Sequence, residues 1–314
     1  EELPHHLLLD LERESRLRYG ENPHQKAALY RLHGQPGVFG GFDKLQGKEL
    51  SFNNLLDADA ARRIVSAFDE PAAAVVKHNN PCGAARGDSC ATAYARALAC
   101  DPVSAFGSVV AVNRAVDLDL AEALAPQFVE VVMAPAYADE AVIRLSRKAN
   151  LRLIRCPLMR APAGRELRAV DGGFLAQDAD LAGDETETWS CPTRRQPTPA
   201  ERDALDFAWK VVRHVRSNAI VVANQVQTVG IGAGQMSRLD SCRLAVGKAE
   251  LPVADCVAAS DAFFPFRDGL DLLAEAGVRA VIQPGGSKRD AEVIAAADGH
   301  GVAMLMTRTR HFRH

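Results

Sequence analysis

Short apolar runs that recur between longer amphipathic stretches constrain this chain more than any other feature. "AAAVVK" (72–77), "GSVVAVN" (107–113), "VEVVMAP" (129–135) and "LRLIRC" (151–156) are too short for independent helices and too apolar for loops, the pattern of buried strands. Between the first two lies "SCATAYARALAC" (89–100), where small and apolar residues recur at three and four, the spacing of a helix face. Strand, helix, strand predicts a parallel pair. With a further helix expected over 138–149, the first half reads as an α/β sheet.

The second half uses the same elements. "PAERDALDFAWKVVRHVRS" (199–217) is an amphipathic helix with Pro199 suited to its first turn. "AIVVAN" and "TVGIGAG" read as a strand pair turned at 224–227. "DGLDLLAEAGVRAVIQPGGS" then gives helix, glycine stop, strand and glycine loop, and "AEVIAAADGHGVAMLMT" repeats that order. The polar, proline-marked stretch at 176–200 is the linker candidate, which divides the chain into 1–190, with an N-terminal segment, and 191–314. No sequence repeat relates the halves.

Composition narrows the class. A chain of 314 residues with 47% hydrophobic and 25% charged residues buries a large core, and a net charge of -3 supplies no basic field for nucleic acid. No apolar stretch approaches the roughly 20 residues that cross a bilayer, and no signal peptide is written at the N-terminus, so a cytoplasmic protein without membrane or nucleic-acid partners is expected. The seven cysteines are an odd number with no Cys-x-x-Cys among them and read as reduced thiols. The chain opens on Glu1 and runs into "LERESRLRYGENPHQKAALY", which reads as the interior of a longer polypeptide.

Lys77 and His78 end the first apolar run, just before an Asn79-Asn80-Pro81 turn. Either the lysine reaches solvent and the histidine caps a turn, or an ammonium and an imidazole face a ligand. An ammonium in a water-poor pocket neutralises a developing oxyanion, and an imidazole titrating near neutrality accepts a proton from an attacking amine. A zinc deaminase would need His-x-Glu and Pro-Cys-x-x-Cys, but Asn80 stands where the glutamate would be and the next cysteine after Cys82 is Cys90.

Other candidates surround this pair. "VSAFGSVV" holds Ser104, Phe106 and Gly107 at a strand start, where a phenylalanine is core or a face for a planar heterocycle. Gly230, Gly232 and Gly234, at spacing two, are not a dinucleotide fingerprint. Beside them Asn218, Gln235, Ser237 and Arg238 either hold a polar ring or anion, or leave Arg238 solvated. "SDAFFPFRDGLD" (260–271) carries three phenylalanines around a proline, then Asp268, and reads as a slot for a flat bicyclic ring. "QPGGSKRD" (283–290) reads as a loop offering backbone N–H groups to an anion, and "TRTRHFRH" at the C-terminus as a frayed basic tail or a phosphate clamp.

Together "LRYGENPHQ", "KHNNPCGAA", "SAFGSVVAVNR", "SNAIVVAN", "GIGAGQMSR", "SDAFFPFRDG", "VIQPGGS" and "RHFRH" resemble the AICAR transformylase portion of the bifunctional AICAR formyltransferase/IMP cyclohydrolase family, from about Leu17 to His314. The resemblance implies two zinc-free cytidine-deaminase-like α/β subdomains in an intertwined homodimer with shared active sites. It implies formyl transfer from 10-formyltetrahydrofolate to AICAR, with Lys77 stabilising the transition state and His78 as proton acceptor. Family nucleotide contacts fall on Arg18, Tyr19, His78, Gly107 and Glu130 and, from the partner subunit, on Asn218 and Arg310. Folate contacts fall on Arg238, Phe263, Asp268, Ser287 and Lys288, and His314 is placed near the site. No catalytic metal is implied, and whether a structural monovalent cation binds is left open. The family's upstream cyclohydrolase domain is expected to be absent from this chain, and the stretch between Leu244 and Ala259 is expected to lack a loop.

Overall fold

The computed structural model describes residues 3–34, 42–156, 165–181 and 186–314. A hairpin of β1 (Leu11–Arg16) and β2 (Ala28–Leu32) precedes the first large sheet. Next come β3 (Asp43–Gln46), α1 (Phe52–Val65), β4 (Ala72–Lys77), β5 (Asn80–Arg86), α2 (Cys90–Cys100), β6 (Ser108–Val112), α3 (Leu118–Leu124), β7 (Val129–Ala134), α4 (Asp139–Ser146) and β8 (Arg152–Arg155). Their strands form one sheet in the order β3-β8-β7-β6-β4-β5. A second hairpin, β9 (Arg165–Val170) with β10 (Gly173–Asp178), reaches into the expected linker, of which 182–185 lie outside the described residues.

The second large sheet is built from α5 (Pro199–Val212), β11 (Ile220–Ala223), β12 (Thr228–Gly232), α6 (Arg238–Gly247), β13 (Val257–Ser260), α7 (Asp268–Glu275), β14 (Ala280–Gln283), α8 (Asp290–His300) and β15 (Ala303–Met306), in the order β12-β11-β13-β14-β15. α5 starts where the sequence places it, with Pro199 in its first turn and Thr198 and Glu201 capping each other's backbone amides. Residues 248–256 join α6 to β13 through successive turns, Lys248 N–H to Leu244 and Cys256 N–H to Val253.

The two sheets repeat one topology. In each, a hairpin (β4–β5, β11–β12) is followed by a strand antiparallel to its first member (β6, β13) and then by two strands in parallel. This corrects the expected parallel pairing of 72–77 with 107–113: β4 and β6 are antiparallel. The cause is β5, of which only the first residues, Asn80 and Pro81, read from sequence as part of a turn; it reverses the chain before α2 crosses over. β5 and β6 therefore share a direction, with β4 between them. At the edges of the two sheets, Ala84 N–H and Ala84 C=O both bond the Thr228 hydroxyl, and Arg86 N–H donates to Val226 C=O, so β5 and β12 join the halves.

One apolar core runs from Val76 and Val109 on the first sheet through Ile64 of α1 and Phe207 and Trp209 of α5 to Val221 and Ile282 on the second. α2, α3 and α4 cover the outer face of the first sheet, and α6, α7 and α8 that of the second. No helix among the described residues is long and apolar enough to cross a membrane.

Glycines set how closely the outer helices approach. A Cβ at Gly83 would overlap the Ala97 carbonyl of α2, and one at Gly230 or Gly232 would overlap the Ala245 or Ser241 carbonyl of α6. The spacing of two thus places Gly230 and Gly232 on one face of β12, under α6, and reflects packing rather than a nucleotide loop. Gly232→Ala is expected to lower stability by about 1–3 kcal/mol, the usual cost of overpacking. A denaturation midpoint equal to that of the wild type would rule this contact out.

Candidate active site

The β4–β5 hairpin turns on two residues with left-handed backbone, His78 (φ 54°) and Asn79 (φ 61°). Neither is glycine, so the turn needs outside support. Asp57 of α1 supplies it by accepting the Asn79 N–H at 2.6 Å and the His78 N–H at 3.2 Å. On the other side Asn80 accepts the Arg216 N–H at 3.0 Å, which ties the turn to the second half. Burial pushes the Asp57 carboxyl above the usual range, against the opposing pull of the two amides and His78.

Lys77 is half-buried and His78 exposed. The Lys77 ammonium donates to the Phe106 carbonyl at 2.7 Å. Both side chains line a cavity of about 380 Å³ with Ser104, Gly230, Ile231 and Lys248, so its wall comes from both halves. Lys248 bonds Asp101 at 2.6 Å across this wall. Cys82 and Cys100 also face the cavity, but burial pushes their thiols up to about 12 and about 11, which leaves them neutral and unreactive at pH 7. Phe106 is not core: it is 67% exposed and stands against Phe128 at 4.9 Å between ring centres. Gly107 beside it adopts φ 75°, and its N–H donates to Phe128 C=O.

Near the start of α1, the Arg18 guanidinium lies 5.3 Å from the Tyr19 ring centre, and the Arg18 and Phe52 amides tie this segment to Leu50 and Tyr19. Glu130 receives the Asn54 amide at 3.0 Å and faces the buried Arg152 at 3.6 Å. Burial pulls Arg152 below its usual range, with Glu130 opposing and Arg18 adding repulsion.

A different cavity, of about 490 Å³, brings together Asn218, Ser237, Arg238, Phe263, Asp268 and Arg310. Of the three phenylalanines before Asp268, only Phe264 is core, while Phe263 and Phe266 are 36% and 49% exposed at the cavity wall. Asp268 accepts the Gly269 N–H. Arg238 is not solvated: it is buried, paired with Asp261, and donates to Ala219 C=O at 2.9 Å and to Asn218 Oδ1 at 2.7 Å. Both Asn218 amide hydrogens are engaged as well, by the Gln235 and Met236 carbonyls.

The glycine loop is closed on itself. Its Gly286 and Ser287 N–H groups, expected to face an anion, both donate to the Asp290 carboxylate. The neighbouring Arg289 lies over Phe266 of the aromatic cavity at 4.7 Å, which places the Ser287–Lys288 pair beside that cavity rather than on its wall. Arg310 also lines a broad depression of about 1640 Å³ with Gly20, Asn79 and His314, and His314 C=O accepts from Arg216. Among the described residues no group of three or more His, Cys, Asp or Glu is placed to hold a metal ion.

Sequence reading passed over Asp57, Asn54, Arg152, Lys248 and Asp261. Each acts through a contact across the fold, and nothing local to it signals that contact.

Two sheets of one strand order pack on a shared helical layer in a mixed α/β architecture, with one cavity in the seam between the sheets and another beside the second sheet. The profile of the AICARFT/IMPCHase bienzyme family matches residues 1–248. The chain belongs to that family, whose members are enzymes of purine biosynthesis. Phe263, Asp268, Ser287, Lys288, Arg310 and His314 lie beyond the matched residues.

Proposed function

We propose that this chain transfers the formyl group of 10-formyltetrahydrofolate to the 5-amino group of AICAR, giving FAICAR and tetrahydrofolate on the way to IMP. The observation that carries the reading is the placement of an ammonium and an imidazole, Lys77 and His78, on the wall of one cavity in a member of this family. The 5-amino lone pair is delocalised into the imidazole and carboxamide, so attack needs a base. His78 takes the amine proton as nitrogen bonds to the formyl carbon. Lys77 releases the Phe106 carbonyl to face the oxyanion and helps protonate the departing folate nitrogen as the carbon–nitrogen bond to folate breaks. Asn218 assists only by exchanging its bond to Gln235 or Met236 for one to substrate.

Arg18, Tyr19, Gly107, Glu130 and Arg310 hold the nucleotide, and Arg238, Phe263 and Asp268 hold the folate ring, with Ser287 and Lys288 beyond it. The repeated strand order supports reading each half as a cytidine-deaminase-like subdomain, zinc-free on its sequence. Within one chain Lys77 and Asp268 line different cavities. The β1–β2 and β9–β10 hairpins leave Leu11, Tyr30, Leu32, Phe174 and Leu175 exposed, as an arm exchanged between subunits would. We therefore assign the Asn218–Asp268 cavity to the partner of the chain that supplies Lys77, in a cytoplasmic homodimer. Cyclohydrolase activity is not assigned to these residues.

A spectrophotometric assay of tetrahydrofolate release tests the reading: release that requires AICAR supports it, and none in its presence overturns it. Arg310→Ala is expected to raise KM for AICAR roughly tenfold or more through a lost charge-assisted phosphate bond, with little change in KM for folate. Equal effects on both substrates would remove Arg310 from the nucleotide.

A further inference from the structure

We propose that Asp57 is the positioning residue of the catalytic hairpin: its carboxylate holds the left-handed backbone of His78 and Asn79 and so aims the His78 imidazole. The inference rests on the formyl-transfer reading above and adds to it a residue that makes no contact with substrate.

Two consecutive residues with a Cβ at φ 54° and 61° sit in a backbone region that L-residues avoid. A β-hairpin with a two-residue loop wants this geometry, but the usual solution places glycine there. Here one carboxylate accepts both turn amides, one on each oxygen, Oδ2 from His78 and Oδ1 from Asn79. Because these are the amides of the turn residues themselves, the bonds fix their φ values and hence the direction of the His78 Cβ. α1 supplies a rigid base, capped at its start by reciprocal Ser51 and Asn54 bonds and packed on β4 through the shared core. Asn80 steadies the turn as well, bonding the His78 carbonyl with its amide nitrogen and the Arg216 amide with its oxygen. That contact alone leaves both turn N–H groups without an acceptor.

Asp57→Asn keeps the side-chain volume, so α1 still packs, and turns one acceptor oxygen into a donor facing an N–H group. Turnover with both substrates saturating is expected to fall on the order of 10–100-fold, the scale of a misplaced catalytic group. Amide hydrogen exchange at His78 and Asn79 should accelerate in the same variant, a readout independent of activity. The decisive variant is Asp57→Asn combined with Asn79→Gly. Glycine adopts positive φ without strain, so the turn should re-form and turnover return to within about threefold of Asn79→Gly alone. Turnover in Asp57→Asn within twofold of wild type overturns the inference and leaves formyl transfer standing. Loss that glycine does not rescue also overturns it, by giving the carboxylate a different task. A wild-type chain that shows Asp57-dependent amide protection but no formyl transfer sinks the reading of function and, with it, this assignment of His78.

Discussion

Lys77→Ala is expected to lower turnover at least about a hundredfold with both substrates saturating, the loss that would follow removal of the proposed oxyanion donor. The stability of the fold should change little. Lys77 is the last residue of β4, half-buried, and its ammonium donates to the Phe106 carbonyl. Removing an ammonium that reaches a backbone oxygen at the cavity wall leaves one carbonyl to water, a modest cost. A large effect on rate beside a small effect on unfolding separates chemistry from architecture. Lys77→Arg is not a mild change, since a planar fork cannot stand in for a compact ammonium at the same point. Thermal unfolding and kcat measured on one preparation decide the matter, and near-normal turnover in Lys77→Ala removes the lysine from the mechanism.

Much of the scaffold was legible because apolar strands announce themselves. The runs at 72–77, 107–113, 129–135 and 151–156 became β4, β6, β7 and β8, and the helix, strand and glycine order of the second half appears as written. β5 was not legible. "NPCGAAR" carries the proline and glycine that mark turns in isolation, yet it pairs with β4 along its length, and Gly83 lets α2 approach it closely. One missed strand reversed the sense of the β4–β6 pair, since each hairpin turns the chain around.

The candidate site divides in a similar way. The aromatic excess at 260–271 pointed to the cavity wall because a core takes only some of such a cluster, and Phe264 alone went inside. Asp57 lies 21 residues before His78 on a helix whose pattern gives no hint of a turn elsewhere. Arg238 looked like a surface cation or an anion ligand, and its pairing with Asp261 depends on a strand end 23 residues further on. Residue types suggest the chemistry, while the partners that hold those residues in place are a property of the tertiary fold.

Mixing two inactive variants tests the shared site most sharply. Lys77→Ala removes the proposed oxyanion donor and Asp268→Asn the proposed folate contact, and each alone is expected to retain on the order of 1% of activity. Asp268 is exposed at the start of α7, and its asparagine still accepts the Gly269 N–H, so folding is preserved. In an equal mixture with free exchange, half the dimers are mixed, and each mixed dimer assembles one site from two intact contributions and one from two damaged ones. Activity should therefore recover to about a quarter of wild type, far above the sum of the parts. If each chain built a complete site of its own, no exchange would help and the mixture would stay near 1%. The placement of Lys77 and Asp268 on the walls of different cavities within one chain argues for recovery.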